Sequence, residues 1–536
     1  MAAVLKTTFL GDIRGRQDDS VTQYLGIKYA TLKDSFASAE LIEKREGDIL
    51  DATKDGPTAV SPLLGCDLEQ SAIQHSLPKK DLPQSELDCL NLNIAIPEGT
   101  TTSSKLPVFV YIHGGGFMIG ANSWPQFDYT RLVKLSVEKN LPIVAVSINY
   151  RLGVFGFLTS NDLRQAGYKA NNGLRDQRVA LEWVQKHISD FGGDPENVTL
   201  AGESAGGASV TYHLQSDKAL FRRAISMSGT NFLIKPLPLA MHEQNYKQAI
   251  AALGLTNAST ERRLSTLLKT PGQDLIARIP QSALSLPAID GDIVPSTLAT
   301  YAQTADRDAD NPMGKAWCED LMIGNTQMDT SIFTVMMPHL KKNCAKKFIN
   351  AIHTVLADNL SVANQILDKY GITNATEDEE AFYAALNYIN DTSFFAPVLT
   401  FARGWRGNAY VYYFNEGNPW DGPWKDKASH ILDVAYLFQN FREFLSPTQQ
   451  AVGSAFAEDF FKFCHGIAPW PAVKGSDITK DFTARVYGPS SKGTTAGEVT
   501  QPYGGQSSRR SILFDFVDQV SLDDLAAVSA VFMSME

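Results

Sequence analysis

Positive charge, cysteine and long apolar runs are all scarce in this 536-residue chain, and each shortage removes a class of explanation. The 48 Lys and Arg against 59 Asp and Glu leave a net charge of -11, so the average surface repels phosphates and no nucleic-acid partner is expected. The one basic run, Lys341, Lys342, Lys346 and Lys347, has the spacing of the wet face of a helix. No run of eighteen apolar residues occurs. The longest candidate, Leu141 to Leu158, is broken by Asn149 and Arg151, so no membrane span is expected. No basic leader with a long apolar core opens the chain, which predicts a cytoplasmic protein or a secreted one whose leader has been removed. Five cysteines leave at least one free thiol, fitting a reducing compartment slightly better. No Cys/His spacing resembles a zinc site, and neither metal nor cofactor is expected. Sequons begin at Asn197, Asn257, Asn359, Asn374 and Asn390, about the number chance supplies, and decide little.

What is present is core-forming material. An apolar fraction of 44% is that of an ordinary globular protein, although length alone does not settle the domain count. Residues 7–30 alternate around glycines and predict small antiparallel strands, followed by a polar, irregular stretch to about residue 86. Leu90 to Ile96, Pro107 to His113 and Pro142 to Asn149 are apolar runs. The last two are near-continuous and predict interior strands of a sheet covered on both faces. Leu174, Val179, Leu181, Val184 and Ile188 recur at helical spacing before the strand Val198 to Glu203, giving a β-α-β unit. A mostly parallel twisted sheet flanked by helices follows. Residues 236–400 read as mostly helical; within them 337–388 carries no strand signal and predicts a helical insertion roofing the sheet. The polar, Gly/Ser-rich stretch 487–510 predicts a mobile surface loop.

The strand Val198 to Glu203 runs into Gly202-Glu203-Ser204-Ala205-Gly206-Gly207. A serine hydroxyl is a weak nucleophile, and a fold that uses one exposes it on a sharp strand-to-helix turn with small flanking residues. Chance supplies such a Gly-x-Ser-x-Gly pattern ~0.2 times in a chain of this length, so it needs support. Support comes from His113-Gly114-Gly115-Gly116-Phe117, which follows a buried strand and lets backbone N–H groups approach a ligand, as an oxyanion hole requires. The helix after Ser204 also turns its N-terminus toward the nucleophile. Ser228, at the end of the strand Ala224 to Met227, is either a hydrogen-bonding neighbour of the site or a simple strand end.

A serine nucleophile needs a base, and histidine is the side chain whose pKa suits the task. The chain order serine, acid, histidine excludes His75, His113, His187, His213 and His242. His339 and His353 fall in the helical insertion, and His465 sits where a helix C-cap is expected. His430 follows a strand and a long loop, the position where such sheets place chemistry. The acid should end another strand, and Asp329 is the only acid in the loop after Leu321 to Gly324. Asp320 and Glu319 lie at that strand's other end, and Asp358 is helical.

Together with Tyr111-Ile112-His113-Gly114-Gly115-Gly116-Phe117, Ser147 to Phe157, Asn172 to Gln177 and Asp290-Gly291-Asp292, the elbow resembles the type-B carboxylesterase/lipase family of the α/β-hydrolase fold, in its fungal-like branch. The resemblance runs from about residue 20 to 470 and implies a single α/β-hydrolase domain over 1–536. It implies Ser204 as nucleophile, His430 as base and Asp329 as acid, with the amides of Gly115, Gly116 and Ala205 as oxyanion hole and Glu203 as an electrostatic neighbour. The family usually has glutamate at the acid position, so the shorter Asp329 requires its loop to sit closer to His430. By the resemblance, Cys66 and Cys89 fall where many secreted relatives bridge a long loop, and if they are bridged the segment between them is the loop that serves as lid in lipases. Here that loop is more polar than a lid that docks on oil, and it lacks the tryptophan with which cholinesterases hold a quaternary ammonium. Phe117, Met118 and Trp124 are pocket candidates. The expected activity is hydrolysis of a small to medium-sized carboxylic ester by water through an acyl-enzyme. A lipase, lactonase, thioesterase or acyl transferase would use the same groups. A non-catalytic adhesion or ligand-binding relative would have lost the serine or the histidine, which this chain keeps.

Overall fold

The structure, a computed structural model, describes residues 4–280, 283, 286–473, 481–503 and 508–535. Its spine is a thirteen-stranded sheet. Twelve of the strands form one path: β1 (Val4–Lys6), β2 (Asp12–Asp18), β3 (Val21–Lys28), β4 (Asn91–Pro97), β5 (Leu106–Ile112), β6 (Val144–Ile148), β7 (Gly193–Glu203), β8 (Arg223–Met227), β9 (Asp320–Thr326), β10 (Asn408–Phe414), β11 (Ala484–Tyr487) and β12 (Ala496–Val499). In space the order is β1-β2-β3-β4-β6-β5-β7-β8-β9-β10-β11-β12, and the short strand Leu50–Ala52 pairs beside β2. Neighbours from β6 through β11 are parallel, whereas the N-terminal strands and the final pair are antiparallel. This is the mostly parallel sheet that the apolar runs predict.

Strand alternation explains why the interior strands read as continuous apolar runs. On β5, Val108, Val110 and Ile112 enter one core with Leu181, Trp183 and Val184 of the helix Asn172–His187. Phe109 and Tyr111 enter the other, with Leu132 and Val133 of the helix Thr130–Glu138 and Phe456 and Phe460 of the helix Pro447–Cys464. With apolar cover on both faces, neither face of the strand can be polar.

Within 337–388 the described elements are all helical, including Cys344–Val355, Leu360–Tyr370 and Asp378–Asn390. Their apolar sides share a third core with Val528 and Phe532 of the helix Leu522–Met533. Two stretches differ from expectation. The segment before residue 86 holds a helix, Gly65–Ile73. In 487–510, β12 pairs antiparallel with β11 and Tyr487 is fully buried, so the expected surface loop is partly a sheet edge. Residues 504–507 of that stretch lie outside the described residues.

Candidate active site

Ser204 sits between β7 and the helix Ala205–His213, with φ 56° and ψ -120°. A positive φ is strained for serine and persists only where the surroundings impose it. Here the glycines impose it. A Cβ on Gly206 would lie 2.0 Å from the Ile112 carbonyl oxygen, and one on Gly202 would lie 2.4 Å from the Gly206 backbone. A Cβ on Gly229 would lie 2.0 Å from the Ser204 carbonyl oxygen. The Ser204 N–H donates to the Met227 carbonyl at 2.9 Å, pinning the turn to β8.

The glycine run lies against this turn. A Cβ on Gly114 would meet the Ser204 Cβ at 3.1 Å, and Gly115 and Gly116 have φ of 91° and 63°. The Ile119 N–H and the Met118 N–H both donate to the Gly115 carbonyl, closing the loop into a tight turn. Ala205 is fully buried at the first turn of the helix that follows the serine.

His430 and Asp329 meet, although 101 residues separate them: the imidazole Nδ1 is 3.0 Å from Asp329 Oδ1. Asp329 is fully buried and also accepts from the Thr326 hydroxyl at 2.8 Å and the Thr326 N–H at 3.0 Å. The shorter carboxylate reaches because the two loops are bridged backbone to backbone. Met328 pairs with Ser429, and the Met328 N–H donates to the Ala428 carbonyl at 2.9 Å. The Ser331 hydroxyl accepts the His430 N–H at 2.9 Å, and the Phe394 ring lies edge-on to the imidazole at 5.8 Å. These contacts leave the ring little freedom about Nδ1.

The other ring nitrogen faces the elbow. His430 Nε2 lies 3.2 Å from Glu203 Oε1, and the Ser204 hydroxyl makes no hydrogen bond to it. Glu203 is 1% exposed, and burial, reinforced by the charges of Asp433, Glu69 and Asp329, pushes its carboxyl well above the usual range. Asp433, one turn after His430, is pushed up to about 7 by burial and by Asp329, and accepts from the Tyr412 hydroxyl at 3.3 Å. Glu69, on the helix Gly65–Ile73, is also pushed up to about 7 by burial and accepts from the Gln126 amide at 2.8 Å. Thr326, Ser331 and Asp433 flank predicted residues and could have been found by asking what holds the acid and the base. Glu69 carried no such signal.

Several expectations change. Phe117 is fully buried against Phe157 and Tyr150, the ring centroids 4.7 and 6.4 Å away. Met118 is half-buried beside the glycine turn. Trp124 lines a cavity of about 440 Å³ with Arg16, Asn93 and Asp128, and neither Ser204 nor His430 borders that cavity. Ser228 is buried with φ 46°, and its hydroxyl has no hydrogen-bond partner among the described residues. Cys66 and Cys89 are separate free thiols. Cys66 opens the helix Gly65–Ile73 and lies 3.5 Å from the Gln70 amide, whereas Cys89 packs in the sheet core with Leu90 and Leu92. Burial pushes both thiols up to about 12. Among the described residues no group of side chains is arranged to hold a metal ion, and no helix is long and apolar enough to cross a membrane.

Comparison with known proteins agrees with this architecture. Residues 2–463 match the model of the Carboxylesterase family. The chain is 30% identical over 456 residues to the para-nitrobenzyl esterase of Bacillus subtilis (strain 168), covering 82% of this chain and 84% of that protein. It is 29% identical over 468 residues to lipase 3 of Yarrowia lipolytica, covering 85% of this chain and 86% of the relative. A solved PNB esterase structure superposes with a TM-score of 0.74 at 25% identity, over 96% of this chain and all of the other.

Proposed function

The chain belongs to the carboxylesterase family, and from that premise we propose that it hydrolyses small to medium-sized carboxylic esters through an acyl-enzyme on Ser204. The observation that carries this reading is the 3.0 Å contact between Asp329 and His430, with the free ring nitrogen turned toward the residue next to Ser204. Asp329 accepts the Nδ1 proton, which leaves Nε2 unprotonated and able to take a proton. As an ester enters and the Ser204 hydroxyl closes on Nε2, the imidazole removes its proton while the oxygen attacks the carbonyl carbon. The tetrahedral oxyanion is held by the amides of Gly115, Gly116 and Ala205, groups that need no reorganisation because the glycine turn and the helix start already fix them. His430 then protonates the departing alcohol, and water repeats the sequence to release the acid.

Two features support a small ester over an oil surface. The helix Gly65–Ile73 is tied to the rest of the site by the Asn418 amide on the Ile73 carbonyl at 2.9 Å and by the Gln74 side chain on Trp420 and Trp424. Its buried positions place the polar Glu69 and Gln70 between the apolar Cys66 and Ile73, so its underside is only partly apolar. Ser204→Ala should lower ester hydrolysis by about 10⁴-fold or more, and a fluorophosphonate should label Ser204. Retained hydrolysis, or labelling elsewhere, would overturn the mechanism.

A further inference from the structure

The loop that carries Asp329 is gripped by two neighbours. One is the loop of His430: Met328 pairs with Ser429, and the Ser331 hydroxyl accepts the His430 N–H. The other is the helix Asp378–Asn390 of the helical insertion. Its last residue, Asn390, is fully buried, and its carboxamide spans the turn that holds the acid. Oδ1 accepts the Thr330 N–H at 3.3 Å, and Nδ2 donates to the Gln327 carbonyl at 3.3 Å. One turn earlier on the same helix, the Leu386 carbonyl accepts from the Thr330 hydroxyl at 3.1 Å. Gln327 and Thr330 stand on either side of Met328-Asp329, so these three bonds bracket the acid. The loop presents a C=O at one end and an N–H at the other, and a carboxamide meets both without bringing a second charge beside Asp329.

The same stretch of chain also touches the imidazole. After Asn390 comes a single π-helical turn, Asp391–Phe395, before the helix Ala396–Gly404. Such turns are rare and recur at functional sites. Phe394, in this turn, is the ring that lies edge-on to His430 at 5.8 Å. Asn390 and Phe394 are four residues apart and so share a face, one meeting the loop of the acid and the other the ring that the acid orients. The turn is anchored away from the site. The Asp391 carboxylate is met by Arg509 and Arg510 at 2.7 and 2.8 Å, and the Tyr301 hydroxyl donates to the Thr392 carbonyl at 3.0 Å. Asn390 also opens a sequon, but with its side chain buried and both amide groups engaged it offers no glycan acceptor in the folded chain.

We propose that Asn390 is a positioning residue for the Asp329–His430 pair. The inference rests on the ester-hydrolase reading above and adds a residue to that site. An aspartate has one methylene between its Cα and its carboxylate, so its 3.0 Å reach to Nδ1 is set by where the loop backbone stands. Asn390 fixes that backbone from a helix that the rest of the fold holds still. Without the carboxamide, the buried Thr330 N–H loses its partner, and the loop shifts to recover one and takes the carboxylate off Nδ1.

The test uses the full chain with Asn390→Leu, which keeps the volume of the side chain and removes both polar groups, and with Asn390→Ala as a second variant should the leucine fold poorly. The kcat for an ester should fall about 10–100-fold with KM nearly unchanged. Placed in Asp329→Ala, where no carboxylate remains to be positioned, the same substitution should change kcat by less than about twofold. The downfield proton resonance of Nδ1–H, recorded in Ser204→Ala so that no turnover is needed, should shift or vanish when Asn390 is replaced. An unchanged kcat with an unmoved resonance, or an equal loss of kcat in both backgrounds, would overturn the proposal, because a residue that merely stabilises the fold acts alike in both. The resonance reports the pair and not the nucleophile, so it tests Asn390 independently of Ser204. A fluorophosphonate-silent wild type would instead sink the ester-hydrolase mechanism.

Discussion

Around Ser204 the chain is held by close backbone contact, whereas Asp329 and His430 are held by hydrogen bonds, from side chains and backbone alike, between loops distant in sequence. The first arrangement is set by sterics: Gly202, Gly206 and Gly229 stand where a methyl group would collide with a carbonyl or another backbone atom. The second is set by donors and acceptors: Thr326 and Ser331 on one loop, the Met328 to Ser429 bridge and the imidazole itself on the other. A steric constraint tolerates almost no substitution but needs no partner elsewhere. A hydrogen-bonded constraint tolerates movement but fails when any one donor or acceptor changes sign.

The contrast is sharpest for Asp329→Asn, where shape is kept and an acceptor becomes a donor. The imidazole then loses the group that fixes its tautomer, and kcat/KM for an ester should fall about 10³–10⁴-fold with the melting temperature nearly unchanged. Normal turnover in this variant would move the acid elsewhere, with Glu203 the first alternative by distance. Gly206→Ala attacks the other side. Its Cβ must displace the Ile112 carbonyl, and urea denaturation should show a loss of about 2–4 kcal/mol together with lost activity. Full stability would mean that the elbow can relax, and the comparison would fail there. Thr326→Val should have the smallest effect. It removes one hydroxyl donor to Asp329 but keeps the N–H donor, so kcat should drop roughly tenfold. A drop as large as that of Asp329→Asn would show that the hydroxyl, not the carboxylate alone, orients the pair.

The same contrast explains what could be read from the sequence. The elbow and the glycine run are contiguous, so their sterics are written in neighbouring letters, and the interior strands announce themselves by unbroken apolar runs. His430 and Asp329 were reachable through chain order and strand ends, although their meeting depends on loops whose course no local pattern fixes. The helix Gly65–Ile73 was missed because its inward positions include Glu69 and Gln70, which give no apolar periodicity. Glu69 was lost with it. The Cys66–Cys89 bridge was an alternative offered by resemblance alone, and the two thiols sit in different surroundings. Phe117, a pocket candidate by its place after the glycines, has a positive φ and packs within the core.

The tie between the helix Gly65–Ile73 and the loop before His430 has a consequence for motion. The Asn418 amide holds the Ile73 carbonyl, Gln74 holds both Trp420 and Trp424, and His75 stacks on Trp420 at 4.9 Å. Moving this helix away from the site therefore strains the loop that carries His430. Amide hydrogens of residues 65–75 and 418–430 should exchange with solvent as one cooperative unit, so that any opening wide enough to admit bulky molecules also disarms the imidazole.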